Sequence, residues 1–100
     1  MTKVPQGGVY VLVDRRSGQV MRVGQTGDLA RRRGEHRRDP RTRPYDFEPR
    51  FFTDSYATRR GLEQLLHDAH DPPLDRQNPI NERSPRRKKY LAAARRFLQG

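Results

Sequence analysis

Four side chains in this sequence are of types that can act together on a phosphate ester: Tyr10, Arg32, His36 and Glu63. Hydrolysis of a phosphodiester needs a group that activates the nucleophile, a cation for the developing charge and a group that holds the phosphate. Tyrosine suits the first task, a carboxylate can hold a metal cation, and arginine suits the third. Arg32 and His36 are four residues apart, so a helix would place both on one face. These residue types permit phosphodiester cleavage if the fold brings them together.

Glu63 borders the apolar stripe of a predicted helix, and two interpretations of it are open. A carboxylate at such a border is partly shielded yet reaches a cleft, as a metal ligand must. The alternative is an ion pair with Arg59, four residues earlier, and structural ion pairs outnumber functional sites. Glu63, His67 and His70 also match a zinc-ligand spacing, but His70 ends the helix and no fourth ligand is evident. Spacing alone favours the ion pair.

The strand patterns predict a small sheet. Residues 8–13 and 19–23 are apolar or alternating runs joined by turn residues, which predicts a β-hairpin, with the chain leaving the second strand at Gly24. The first run is almost continuously apolar, which favours a central strand covered on both faces. A third strand is predicted at 47–52, and Pro49 within it requires a sheet edge or a bulge.

Three helices are predicted around that sheet. The first covers about 28–38 with Thr26 as its cap, the second covers about 56–70 behind Asp54-Ser55, and the third begins at Ser84-Pro85. The core-facing stripe of the second helix is Leu62, Leu65, Leu66 and Ala69. The predicted fold class is α/β of the α+β kind, a three-stranded and largely antiparallel sheet flanked by about three helices, in the order ββαβαα. We expect one domain, residues 1–100, with residues 1–7 as a flexible lead.

The charge balance indicates a polyanionic partner. The chain has 22 Lys and Arg against 12 Asp and Glu, a formal net charge of +10. Nucleic acid is the leading candidate, and an acidic membrane surface or an acidic protein remains open. The predicted first helix has almost no apolar face, and its like charges three and four residues apart repel each other unless a polyanion compensates them. The predicted nucleic-acid contacts are Arg22, Arg31, Arg33, Arg37, Arg38, Lys88 and Lys89.

Composition also excludes several classes of protein. The sequence has no cysteine, so disulfides, cysteine catalysis and thiolate metal sites are excluded. No apolar run is long enough for a transmembrane helix, and no secretory signal segment is visible. We therefore expect no membrane insertion.

The order of motifs along the chain carries a family resemblance. The segments are Gly8-Val9-Tyr10, Arg22-Val23-Gly24, an arginine eight residues after Gly24 with a histidine four further on, Gly61-Leu62-Glu63-Gln64-Leu65-Leu66, and Pro72-Pro73-Leu74-Asp75. Together they resemble the GIY-YIG nuclease superfamily. The stretch 20–26 and the tail from Asn78-Pro79-Ile80 resemble, more narrowly, the URI-type nuclease domains at the C-termini of bacterial polymorphic toxins.

The resemblance implies a role for each matched residue. Tyr10 would be the general base or would orient the attacking water, and Arg32 would hold and neutralise the scissile phosphate. Glu63 would be the single protein ligand of one Mg²⁺ or Mn²⁺, which waters and phosphate complete, as magnesium chemistry permits. His36 would be a further contact near the phosphate.

The sequence departs from the family pattern at two positions. Arg22 stands where the second motif has a tyrosine, and it can serve as another phosphate contact. Asp75 stands where the family has a late asparagine, and Asn78, three residues on, can take over the supporting role.

Three hypotheses follow. The first is a metal-dependent endonuclease acting on DNA or RNA, the toxic C-terminal domain of a secreted bacterial toxin. It would work in the bacterial cytoplasm after export as part of a larger polypeptide and would be neutralised by an acidic immunity protein. The second is a catalytically inactive, basic nucleic-acid-binding module of the same fold. The third is a basic interaction domain for an acidic protein.

Overall fold

The computed structural model describes residues 4–75 and 77–100 and has the predicted order of elements. Three strands and three helices follow one another as β1 (Gly8–Val13), β2 (Val20–Thr26), α1 (Leu29–Arg38), β3 (Asp46–Phe52), α2 (Tyr56–His70) and α3 (Arg87–Gln99). The strands form one antiparallel sheet in the order β2-β1-β3. The predicted α+β fold is confirmed.

The central strand β1 divides the core into two layers. All six of its residues are buried, and alternate side chains point to opposite faces of the sheet. Val9, Val11 and Val13 pack with Leu62 of α2 and Ala94 of α3. On the other face, Tyr10 and Leu12 pack with Leu29 of α1 and with the half-buried Tyr45 and Phe47. The predicted central position of this strand is confirmed, and its two faces look toward different helices.

The edge strand β3 contains the expected irregularity at its proline. Tyr10 lies opposite Pro49 and Val9 lies opposite Phe51, so Arg50 is an extra residue in the pairing. Proline lacks an N–H for the ladder, and a bulge on an edge strand accommodates it.

Two boundaries around β2 and α1 differ from prediction. The strand does not end at Gly24 but continues to Thr26, because Gly24, Gln25 and Thr26 pair with the start of β1. The cap of α1 is Asp28, whose side chain accepts a hydrogen bond from the Arg31 N–H. Thr26 was the wrong cap, since its hydroxyl accepts from the Asp28 N–H instead.

The helices α2 and α3 pack closely against each other. A Cβ on Gly61 would overlap the carbonyl of Tyr90, so only glycine permits this approach. The helix α2 begins after Ser55 as predicted, with the Ser55 hydroxyl accepting from the Thr58 N–H, whereas α3 begins later than Ser84-Pro85. Of the predicted stripe on α2, Ala69 is exposed.

The segment before β1 is tied to the fold where the structure describes it. The N–H groups of Gln6 and Gly7 donate to Asp54 Oδ1 at 3.0 and 2.8 Å, and the Leu29 N–H donates to the Gln6 carbonyl. The predicted flexible lead falls partly on residues 1–3, which lie outside the described residues. Across the part of the chain that is described, no helix is both long and apolar enough to cross a membrane.

Candidate active site

The hydroxyl of Tyr10 is the centre of the site. Arg32 Nε–H donates to this oxygen at 3.1 Å, and His36 Nε2 lies 3.2 Å from it. Tyr10 is only 1% exposed, and a Cβ on Gly24 would overlap its phenol ring. The glycine of the second motif therefore provides the space in which the tyrosine of the first motif meets two side chains of α1.

The protonation of His36 decides how this cluster is bonded. Burial, followed by the nearby charges of Arg32 and Arg22, lowers the pKa of His36, so the imidazole is neutral at pH 7. A hydroxyl has one proton and two lone pairs. Tyr10 therefore accepts from Arg32 and donates to His36 Nε2, which assigns the imidazole proton to Nδ1.

The helix α1 presents Arg32 and His36 together because they are one turn apart. Arg32 Nη1 pairs with Glu35 at 3.2 Å, and the side chain of Arg32 is 41% exposed. His36 is buried, with its ring edge against Tyr10 at 5.3 Å between ring centroids. Arg32 thus joins the buried hydroxyl to the surface, where an anionic group can reach it.

Glu63 lies with Arg60 in a second cluster, on the face of the sheet that α2 and α3 cover. Its carboxylate accepts from Arg60 Nη1 at 3.1 Å. The predicted ion-pair partner Arg59 is wrong, because Arg59 instead donates to Gln25 Oε1 and to the carbonyls of Thr53 and Asp54. The side chain of Glu63 is 13% exposed. Its desolvation, opposed by Arg60 and reinforced by Asp75, raises its pKa to about 7.

Asp75 connects this second cluster to the sheet. It is 5% exposed, its Oδ2 lies 3.0 Å from His67 Nδ1, and its Oδ1 accepts from the Val23 N–H at 3.3 Å. The Leu74 N–H also donates to the Met21 carbonyl, so the loop runs along the outer edge of β2. His67 is one turn from Glu63 on α2, and this spacing was a sequence signal for the cluster.

Two residues named in sequence-based hypotheses lie outside the second cluster. Asn78 accepts a hydrogen bond from Gln64 Nε2 at 3.3 Å. Gln64, which is fully buried, also accepts from the Ile80 N–H, so Asn78 helps to hold the loop after α2. His70 is exposed at the helix end, and within residues 4–75 and 77–100 no three His, Asp or Glu side chains are grouped as a metal site.

Residues 22–24 of β2 lie between the two clusters. Gly24 is under the Tyr10 ring, the Val23 N–H is bound by Asp75, and Arg22 is exposed and close enough to His36 to lower its pKa. The structure brings Tyr10, Arg32 and His36 into direct contact. It places Glu63 with Arg60 and near Asp75, without a hydrogen bond to the first cluster.

The predicted nucleic-acid contacts separate into two groups. Those on α1 are exposed beside the Tyr10 cluster: Arg31, Arg33, Arg37 and Arg38. Lys88 and Lys89 are also exposed, but α3 packs on the opposite face of the sheet. The α1 group and the α3 pair therefore belong to different layers of the domain.

Sequence reasoning missed the aromatic residues beside the Tyr10 cluster. The ring of Phe47 stacks on Tyr10 with 4.5 Å between centroids, and the guanidinium carbon of Arg33 lies 5.3 Å from the Phe47 centroid. Tyr45 and Phe47 also line a groove of about 460 Å³ next to His36. The sequence signal was the pair of aromatic residues that flank Asp46, directly after a basic loop.

These features define a class of protein: a small basic α+β domain with a tyrosine–arginine–histidine cluster on its central strand and first helix. Comparison with protein families matches residues 7–96 to the T5orf172 domain. The chain belongs to the T5orf172 domain family, which is associated with nuclease and endonuclease-like functions. This association indicates a nucleic-acid substrate. Searches of curated proteins and of solved structures find no match.

Proposed function

We propose that this domain is a metal-dependent endonuclease of the GIY-YIG type that hydrolyses phosphodiester bonds. The observation that supports the proposal best is the Tyr10 hydroxyl, held between Arg32 and His36 over a glycine that leaves room for its ring. These three residues match the sequence motifs in order and spacing. The family's association with nucleases points to the same chemistry.

Arg32 binds the scissile phosphate in this proposal. In the free protein its guanidinium donates to Tyr10 and remains partly exposed, so it can leave the Tyr10 hydroxyl and turn toward an incoming phosphate. Arginine remains charged and bonds phosphate oxygens in pairs. Arg22, exposed near His36, is a further phosphate contact on the same side of the sheet.

Tyr10 and His36 act together on the attacking water. The Tyr10 proton is directed to Nε2 of a neutral imidazole. The tyrosine oxygen can therefore take a proton from water while its own proton passes to His36. Because Tyr10 is 1% exposed, water reaches its oxygen when Arg32 moves to a bound phosphate, which couples substrate binding to activation of the nucleophile.

The donor set around Glu63 fits one Mg²⁺ or Mn²⁺. Mg²⁺ is commonly held by one or two carboxylates and keeps several waters, and Glu63 has Asp75 nearby as a second acidic group. A carboxylate whose ionisation is opposed by burial gains stability when a cation neutralises it. When bound, the ion supplies positive charge for the oxygens of the reacting phosphate. His67 and the Val23 N–H hold Asp75 in place.

The biological setting is proposed from the resemblance to polymorphic-toxin domains. In this setting the domain is the toxic C-terminal part of a larger secreted polypeptide, and it acts on DNA or RNA in the cytoplasm of a target bacterium. The net charge of +10 complements an acidic immunity protein, because opposite potentials steer association. Co-purification with an acidic protein encoded next to the toxin would support this partner.

A nucleic-acid-binding module without catalysis is the second candidate. Two observations favour it: Tyr10 is buried with both hydrogen-bonding partners in place, and Arg22 stands where the superfamily has a second tyrosine. Such a module would bind DNA or RNA with an affinity that falls linearly with salt on logarithmic axes. It would cut neither polymer with any divalent ion.

Incubation of the purified protein with supercoiled plasmid and with total RNA separates the two candidates. We expect cleavage with Mg²⁺ or Mn²⁺, none with chelator, and loss of cleavage in Arg32→Ala and Glu63→Gln. The matched controls are Arg16→Ala and Glu82→Gln, which remove the same charges at exposed positions outside the proposed site. Circular dichroism verifies folding. If folded Arg32→Ala and Glu63→Gln cut as fast as the parent, the proposed site is wrong, and absence of cleavage by the parent favours the binding module.

A further inference from the structure

The groove beside the Tyr10 cluster has features that are not needed to bind only the sugar-phosphate backbone of a nucleic acid. It encloses about 460 Å³ between α1, the loop after it and the start of β3. His36 is part of its lining and also contacts the Tyr10 hydroxyl at 3.2 Å. The groove and the proposed hydrolytic centre are therefore separated by a single imidazole ring.

The charged lining of the groove is suited to phosphate. On α1, His36 and Arg37 follow Arg33 by three and four residues, so all three lie on one side of the helix. Arg43 lines the groove from the loop after α1. Among the described residues, no carboxylate forms an ion pair with Arg33, Arg37 or Arg43. Guanidinium groups gathered around one concavity repel each other in the free protein, and an anion between them relieves that repulsion.

The aromatic lining of the groove is suited to a base. Phe47 stacks on the Tyr10 ring, and the guanidinium of Arg33 also lies over the Phe47 ring. Tyr45 is half-buried, packs at the edge of the core cluster of Tyr10, Leu12 and Leu29, and lines the same groove. Proteins that bind unpaired nucleotides place bases on aromatic rings and on arginine planes.

Two carboxylates in the lining indicate that the groove does not bind phosphate groups alone. Asp46 and Glu48 lie in the groove, paired with Arg15 at 2.8 Å and with Arg50 at 3.5 Å. Carboxylates repel phosphate, but they accept hydrogen bonds from the amino groups of base edges. A concave, aromatic and partly acidic surface matches a nucleotide better than it matches the convex backbone of a duplex.

We propose that this groove binds one unpaired nucleotide next to the scissile phosphate, so that the substrate is single-stranded or looped nucleic acid. The volume is in the range of sites for small ligands. A base stacked inside a duplex cannot enter such a site unless it leaves the helix, which costs free energy. The inference rests on the proposed function for the position of the scissile bond, but binding in the groove can be measured without cleavage.

Fluorescence anisotropy in chelator tests the inference directly. The probes are a labelled mixed-sequence single strand and the duplex of the same sequence, at one salt concentration. We expect the single strand to bind about tenfold more tightly, the contribution of stacking one base. Tyr45→Leu should remove most of that preference, Tyr45→Phe should retain it, and Tyr56→Leu, at an exposed tyrosine on α2, should leave it unchanged.

An arginine pair provides a second comparison if Tyr45→Leu does not fold. Arg43→Ala should weaken single-strand binding severalfold, whereas Arg41→Ala, which loses the same charge from an arginine paired with Asp39, should have little effect. Equal affinity for strand and duplex, or equal effects of Arg43→Ala and Arg41→Ala, would overturn the inference. Cleavage of duplex and strand at the same rate would overturn the inference and leave the proposed nuclease intact. Preference for the single strand without any cleavage would support the inference and contradict the proposed nuclease activity.

Discussion

Glu63→Gln tests whether the metal-free protein is destabilised by the residue proposed to hold the metal. Burial raises the pKa of Glu63 from its ordinary 4.5 to about 7. Between these values the folded protein keeps a proton that the unfolded chain has released, so stability falls as pH rises through this window and the loss is complete above about pH 7. Each tenfold change in proton affinity is worth about 1.4 kcal/mol, so the full loss is about 3 kcal/mol.

The glutamine variant should escape this loss. Its amide oxygen can still accept from Arg60, and it does not ionise. In chelator at pH 8 we expect Glu63→Gln to be more stable than the parent by about 3 kcal/mol, with Tm higher by on the order of 10 °C. The free energies of unfolding of the parent and the variant should become equal near pH 4.5. Thermal unfolding across this pH range measures both, with Glu82→Gln at an exposed position as the control.

Addition of Mn²⁺ should reverse the order of stability. An ion that binds only the folded parent raises its free energy of unfolding by mass action, by about 4.1 kcal/mol at a thousand times the Kd, which exceeds the loss of about 3 kcal/mol. The free energy of unfolding of Glu63→Gln should change little when Mn²⁺ is added. If Glu63→Gln is no more stable than the parent at pH 8 in chelator, the carboxylate is not desolvated as argued. If Mn²⁺ stabilises both proteins equally, the ion binds elsewhere.

Three further predictions concern the Tyr10 cluster. Tyr10→Phe should lower the cleavage rate about a hundredfold or more by removing a proton-transfer group, with folding unchanged by circular dichroism; a rate near the parent's would exclude that role. Gly24→Ala should destabilise the fold by about 2 kcal/mol in denaturant titrations, because its Cβ overlaps the Tyr10 ring. Gly27→Ala should have little effect, because its Cβ would lie at an ordinary contact distance, 4.0 Å from Arg59 Nη2; equal effects would contradict the packing. The pKa of His36 is lowered by burial, so the unfolded chain takes up its proton first as pH falls below 6.5. This contribution opposes that of Glu63, so the loss of stability should be measured in Glu63→Gln, and cleavage by the parent should decline as His36 is protonated. Cleavage that is constant from pH 7 to pH 5 would show that neutral His36 is not required.

Local sequence patterns were sufficient to predict the helices and strands, but not all of the residues at which they begin and end. The strand order and the bulge at Pro49 followed from apolar runs and from the missing proline N–H, both of which are properties of the chain itself. The end of β2 did not, because Gly24 is a strand residue only when Tyr10 lies opposite it. Asp28 likewise replaced Thr26 as the cap of α1 once the geometry of the turn was determined.

For the candidate site, the sequence by itself determined which residues are one helical turn apart and which motifs precede one another. This was enough to select Tyr10, Arg32 and His36, because a strand and the helix that follows a hairpin pack together over short distances. Only the tertiary structure decided that Glu63 pairs with Arg60 rather than Arg59, since both arginines lie on the same helix and the difference is set by what α2 packs against. It also decided the groove lined by Tyr45, because residues distant in sequence form a concavity only after the chain has folded.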